Sequence, residues 1–302
     1  MNIMSYNLKS IIKSVNALAM AVVLGFSGNI HAQDTNQESS LLWEITGKKV
    51  KSPSYLMGTM HLIPKEKFHF PDDLKEKVGA SKLLVMEIGG IEEQMKAASL
   101  IMLKEGNLFD HFSQPQKDTL FQYLNEELEI DSSTVKQQFG RVKPFALLQL
   151  MTRSAFGDNP ESYELTLQGI ATQNEIPVKG LETVEDQMAV FDNMDMDEQV
   201  EMVMSSIRNS ENSAEEMNEL IDTFLSQDID ALYALMGKEG NSLEKHEGAL
   251  LTDRNEKWIP SIKKLIKKQP TFIAVGAAHL GGPNGVVELL RKEGYTLTPI
   301  KM

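Results

Sequence analysis

The chain contains no cysteine. Disulfides, thiolate metal ligands and a lipidated cysteine anchor are all excluded, so any metal site must be assembled from histidine and carboxylate. Aromatic residues are scarce at 7%, with only two tryptophans, while methionine is abundant at 17 residues. Methionine used this way fills irregular gaps in a core. Positive charge is in deficit: 30 Lys and Arg stand against 43 Asp and Glu, a net charge of −13. A surface of that sign repels phosphate backbones, which excludes nucleic acid as a partner class. Beyond the N-terminal segment there is no apolar run approaching the roughly 20 residues that span a bilayer.

The N-terminal segment is itself patterned as an address. Lys9 and Lys13 precede a mostly apolar stretch at 15–26, and Asn29-Ile30-His31-Ala32 ends on a small residue. This is the layout of a secretory signal peptide, too short for a stable anchor, with cleavage expected after Ala32. Residues 1–32 are therefore read as a signal peptide and 33–40 as a flexible polar leader. The mature protein is expected in the periplasm or outside the cell, with no stable membrane span. Losing Lys9 and Lys13 makes the remainder still more acidic.

Apolar runs and turn residues predict strands at 41–46, 54–58, 82–88, 177–181, 271–275 and 296–300. Helices are expected at 91–104, 115–128, 143–156, 163–174 and 284–293, and an acidic, methionine-rich helical region at 185–236. Residues 243–268 should form a helix pair or a kinked helix, because Pro260 lacks a backbone donor. The fold class is α/β: a central sheet or sheets with a large helical middle region.

One pattern occurs twice. Tyr55-Leu56-Met57-Gly58-Thr59-Met60-His61-Leu62 and Ile273-Ala274-Val275-Gly276-Ala277-Ala278-His279-Leu280 are each an apolar run broken by glycine, with histidine three residues on. Glycine after a buried strand permits a turn with positive φ, and ligands gather outside the carboxyl ends of strands in open α/β sheets. Either histidine alone reads as a hydrogen-bonded loop residue. The repetition points instead to two corners of one site, about two hundred residues apart in sequence.

Glu87 and Glu182 lie at the ends of two further apolar runs. A buried carboxylate must pair, coordinate a metal or stay neutral. Glu87 could equally face water at its strand end, and Glu182 could cap the next helix, as could Thr183 or Glu185. Two such carboxylates with His61 and His279 would suit a divalent cation with open positions for water. Arg141 and Arg254 could grip a substrate carboxylate bidentately or form structural salt bridges. His69, His111 and His246 sit among charged residues and read as surface positions.

Gly58-Thr59-Met60-His61, Gly180-Leu181-Glu182-Thr183, Leu251 to Asn255 and Gly276 to Gly281 together resemble the TraB/GumN family. That family includes pheromone-shutdown proteins and the animal Tiki proteases that cleave Wnt. The resemblance extends over nearly the whole mature chain and implies one domain spanning 41–302, with a fold similar to erythromycin esterase and ChaN. Glu164 stands where bacterial members commonly carry aspartate.

For activity, the resemblance implies metal-dependent hydrolysis of peptides or proteins. His61, Glu87 and His279 would hold manganese, cobalt or zinc. Glu182 or Glu164 would be the base, Arg254 would stabilise the oxyanion, and Arg141, Arg254 and Asn255 would contact substrate. Two other readings stay open: a binding protein that captures a peptide, pheromone or haem without turnover, and a hydrolase without metal that uses histidine as general base.

Overall fold

Runs of apolar residues with no polar alternation form strands buried on both faces, and two such runs lie at the centre of this chain. Leu83–Ile88 and Thr271–Gly276 are each buried at every position but the last. They belong to a six-stranded mixed sheet in a computed structural model that describes residues 39–156, 159–236 and 246–302. The expected signal peptide, most of the expected leader and residues 243–245 lie outside the described residues.

In chain order the strands are β1 (Leu42–Thr46), β2 (Ser54–Thr59), β3 (Leu83–Ile88), β4 (Val178–Glu182), β5 (Thr271–Gly276) and β6 (Thr296–Ile300). Their order across the sheet is β4-β3-β5-β2-β1-β6. Neighbours among β4, β3, β5 and β2 are parallel, and β1 runs antiparallel between β2 and β6. All four parallel strands thus deliver their carboxyl ends to the same edge. The two repeated motifs are adjacent there, with Gly58 opposite Val275 and Thr59 opposite Gly276.

Two apolar cores result. One surrounds the sheet and includes Trp43, Phe272, Trp258 and Phe224; the other lies in the helical middle around Phe139, Leu147, Phe191 and Val203. The acidic region folds as four helices, Val184–Asp192, Met196–Arg208, Ser210–Leu225 and Ile229–Met236. Helices at Asp72–Ala80 and Ser132–Phe139 add to those expected. The segment expected to be a pair or a kink is a π-helical turn, Gly248–Thr252, running directly into a helix, Asp253–Lys268, that carries Pro260 inside it. Ser39 and Ser40, assigned to the leader, are tied into the fold: Ser39 donates to the Gln227 carbonyl and Ser40 to that of Ile300.

The motif glycines serve a different purpose from the one expected. Neither Gly58 nor Gly276 has a positive φ. A Cβ at Gly58 would lie 2.8 Å from Leu280 Cδ1 and 3.0 Å from the Ala277 backbone, so glycine here permits close approach of the two motifs. A Cβ at Gly276 would lie 3.2 Å from Glu87 Oε1. That oxygen accepts the Gly276 N–H at 2.7 Å.

Candidate active site

His61 leaves the end of β2 and is held by a neighbouring segment rather than by its own strand. Ile63 and Glu161 exchange backbone hydrogen bonds of 3.0 and 2.9 Å, an isolated antiparallel bridge. This clamps the His61 loop against the start of the Tyr163–Gln173 helix, capped by Ser162. Glu164, in the first turn of that helix, meets His61 Nδ1 at 2.9 Å. Thr59 Oγ1, from the end of β2, donates to the same carboxylate oxygen at 2.5 Å, and Ser162 donates to the other at 3.1 Å. A carboxylate is also favoured at a helix N-terminus.

Burial alone would lower the His61 pKa, but the charge and close contact of Glu164 outweigh it and raise it above the ordinary value. Burial would raise Glu164, yet His61, the Thr59 hydroxyl and its own backbone N–H hold it below the usual carboxylate range. The pair therefore presents a strengthened imidazole base, with Nδ1 in a close ion-pair contact that is not an aligned hydrogen bond, and with His61 lining a cavity.

Beside this dyad lies a buried ion cluster centred on Arg254, a residue 5% exposed. Its Nε donates to Glu182 at 3.1 and 3.2 Å. Its Nη2 donates to Glu87 and Glu182, each at 2.5 Å. Its Nη1 donates to the Leu250 carbonyl at 2.8 Å and meets His279 Nε2 at 3.1 Å. An arginine has five N–H donors, and all five have protein acceptors here. Gln187 bridges the two carboxylates, donating to Glu87 at 3.1 Å and to Glu182 at 2.8 Å. Trp258 donates to Glu182 at 3.2 Å and packs against His279, with ring centroids 4.5 Å apart.

The two carboxylates are not equivalent. Burial would raise Glu87, but Arg254, His279, His61 and the Gly276 N–H pull it down to about 2. Glu182 is raised by burial and by the charge of Glu87, against the pull of Arg254. His279 is pushed down to about 3, by burial first and by the Arg254 charge next. It is thus a neutral imidazole, accepting from Arg254 at Nε2 and donating through Nδ1 to Asn255 Oδ1 at 2.7 Å. Asn255 completes the brace by donating to the carbonyls of His279 and Asn284.

His61, Glu87, Glu164, Glu182, Arg254, Asn255 and His279 are therefore brought together at the sheet edge. Arg141 is not: it is exposed, and donates to the carbonyls of Gly106 and Leu103 within the helical region. Asn255 spends its amide on His279 and two backbone carbonyls, and so braces the imidazole. Thr183, not Glu182, caps the helix after β4, in a capping box with Asp186. Thr59 and Gln187 escaped the sequence reading. Gln187 had one signal: it falls on the apolar stripe of its helix with Val184, Met188 and Phe191.

The donors of the expected metal site do not fit a cation as arranged. Glu87 Oε2 and His279 Nε2 both contact the Arg254 guanidinium, while Glu87 Oε1 accepts from the Gly276 N–H and lies 3.8 Å from His279 Nε2, so an ion bound to both would meet the Arg254 charge at close range. Nor does the cavity suit haem. It measures about 120 Å³, against roughly 300 Å³ or more for a pocket holding a drug-sized ligand. His279, one of the two histidines able to ligate iron, is committed to Arg254 and Asn255.

That cavity opens between the two cores. Thr59, His61, Glu87, Arg254 and His279 form its polar end, and side chains such as Phe156, Phe224, Leu232, Leu250 and Leu251 form its walls. A family profile described as TraB/PrgY/gumN matches residues 41–299. An uncharacterized protein of Treponema pallidum (strain Nichols) is 23% identical over 279 residues, covering 85% of this chain and 82% of that protein. No solved structure matches the chain.

Proposed function

Because the chain belongs to the TraB/PrgY/gumN family, we propose that it is an exported hydrolase of peptide substrates in which His61 acts as general base. The observation that carries this reading is the dyad itself: His61 Nδ1 lies 2.9 Å from Glu164 Oε1, with Thr59 fixing the same oxygen. A carboxylate so placed stabilises by its charge the imidazolium formed when the base takes a proton. In the reaction, Nε2 of His61 removes a proton from water as its oxygen attacks the substrate carbonyl. The proton then passes to the leaving amine as the carbon–nitrogen bond breaks. The Glu87–Arg254–Glu182 cluster supplies a rigid, charge-balanced floor, and Asn255 and Trp258 hold His279 in it.

No step is routed through a cation, since Glu87 and His279 both contact the Arg254 guanidinium. Export rests on the signal-like pattern of residues 1–32. The erythromycin-esterase-like fold belongs to the same proposal, supported by a site at the carboxyl ends of parallel strands. The test is hydrolysis of a peptide library by purified mature protein, with and without chelator. Turnover lost in His61→Ala but kept under chelation supports the reading. Turnover abolished by chelation and restored by manganese, cobalt or zinc overturns it in favour of a metal site. A peptide retained without cleavage would make the chain a capture protein.

A further inference from the structure

The cavity is chemically divided. Its charged groups, His61, Glu87 and Arg254, stand at one end and are already satisfied by one another or by neighbouring residues. The remaining wall is apolar and drawn from several pieces of chain, among them Phe156, Phe224 on the Ser210–Leu225 helix, Leu232 and Met236 on the Ile229–Met236 helix, and Leu250 with Leu251 on the π-helical turn. Phe224, Leu232, Leu250 and Leu251 are all buried. A charged or strongly polar group pushed into this wall would lose its hydration with nothing to replace it, at a cost of several kcal/mol.

The volume then sets the size. An engineered apolar cavity of about 150 Å³ holds a benzene molecule, and this cavity is about 120 Å³. A branched or linear aliphatic group of about four heavy atoms fits it, a phenyl ring is at its limit and an indole is beyond it. Met236 at the wall gives a flexible, polarizable surface able to close on groups of slightly different shape.

We propose that this cavity is a specificity pocket for a neutral aliphatic side chain of leucine or methionine size, carried by the substrate next to the carbonyl attacked at His61. The proposal rests on the hydrolase reading for the position of that carbonyl, but not for the chemistry of the pocket. Burial of such a side chain is worth about 1.5–3 kcal/mol, or roughly a 10- to 100-fold preference in kcat/KM over glycine.

The test uses mature protein and N-acetyl-Xaa-aminomethylcoumarin substrates with Xaa as Gly, Leu, Met, Phe, Trp, Asp and Lys. Leu and Met should exceed Gly, Asp and Lys by at least 10-fold, with Trp not accepted. In Leu232→Ala, confirmed as folded by circular dichroism, Phe should overtake Leu. In parallel, ligand-detected NMR compares N-acetyl-leucinamide, N-acetyl-aspartamide and N-acetyl-tryptophanamide, and selective binding of the leucine compound is expected. Hydrolysis that is equally fast with Asp or Gly overturns the pocket and leaves the hydrolase reading standing. Selective leucinamide binding without any hydrolysis supports the pocket and removes the hydrolase reading. Equal binding of all three amides overturns the pocket even if the Leu232 variant fails to fold.

Discussion

Arg254 Nη1 lies 3.1 Å from His279 Nε2, a contact in which a permanently charged donor meets an imidazole that can accept only when unprotonated. On the other side of the cavity, the Glu164 carboxylate meets His61 Nδ1 at 2.9 Å. The two motifs are alike in sequence and adjacent in the sheet, yet one histidine is held neutral and the other is made more basic. The difference comes largely from partners outside the motifs: Glu164 raises His61 against its burial, while Arg254 adds to the burial that lowers His279.

The two histidines should therefore titrate apart. In a 15N-imidazole NMR titration, His61 should change state above pH 6.5, while His279 should stay neutral down to the range of pH 3. A His279 signal titrating between pH 5 and 8 would contradict the contact with Arg254.

Activity should rise with pH as His61 loses its proton, with the acidic limb of kcat/KM centred above 6.5. Glu164→Gln removes the charge that raises this pKa and leaves the burial that lowers it. The limb should shift to lower pH and the plateau rate should fall by on the order of 10-fold or more. An unmoved limb would assign the titration to another group. The same pair carries a stability consequence of opposite sense. Its contribution is present between about pH 4.5 and 6.5; it is lost as pH rises through the raised folded pKa of His61 and as pH falls through the lowered one of Glu164.

Arg254→Met should leave Glu87 and Glu182 buried without their cation. Breaking a buried pair in this way costs about 3–5 kcal/mol, to be read by urea denaturation. In the wild type, Glu87 contributes stability that is present above pH 4.5 and lost as pH falls toward 2. The variant should lose this acid-side dependence. A loss below 1 kcal/mol would mean that the cluster contributes little to the fold.

Equilibrium dialysis with zinc or manganese should show no stoichiometric binding to the wild type at the Glu87–His279 position, and activity should survive dialysis against chelator. One tightly held ion per chain, lost in both His61→Ala and His279→Ala, would show that Arg254 yields its place.

Mature protein isolated from cells should begin near Gln33, a result that intact mass spectrometry can read directly. Full-length chain in the cytoplasm would remove the export proposal.

Much of the fold was legible because its strands are short, apolar and bounded by turn residues, and β6 falls on the expected residues 296–300. The helices Asp72–Ala80 and Ser132–Phe139 were not, since each is short and buries only one i,i+4 pair, Leu74 with Val78 and Val135 with Phe139. Strand-end position drew attention to His61, Glu87, Glu182 and His279. What the sequence could not show was which partner each one has. Arg254 arrives from a helix more than seventy residues beyond Glu182, and the Ile63–Glu161 bridge that sets Glu164 against His61 carries no side-chain signal at all. The reason for the motif glycines was similarly hidden: close approach of two strand ends leaves no mark that differs from a turn.

The cavity takes its floor from sheet edges and most of its walls from helices and a π-helical turn. This is a division of labour with an evolutionary reading. Under the hydrolase proposal, substitutions at Leu232, Leu250 or Leu251 would reshape what enters without touching the side chains around His61, so a lineage could trade one substrate for another while the chemistry beneath is inherited intact.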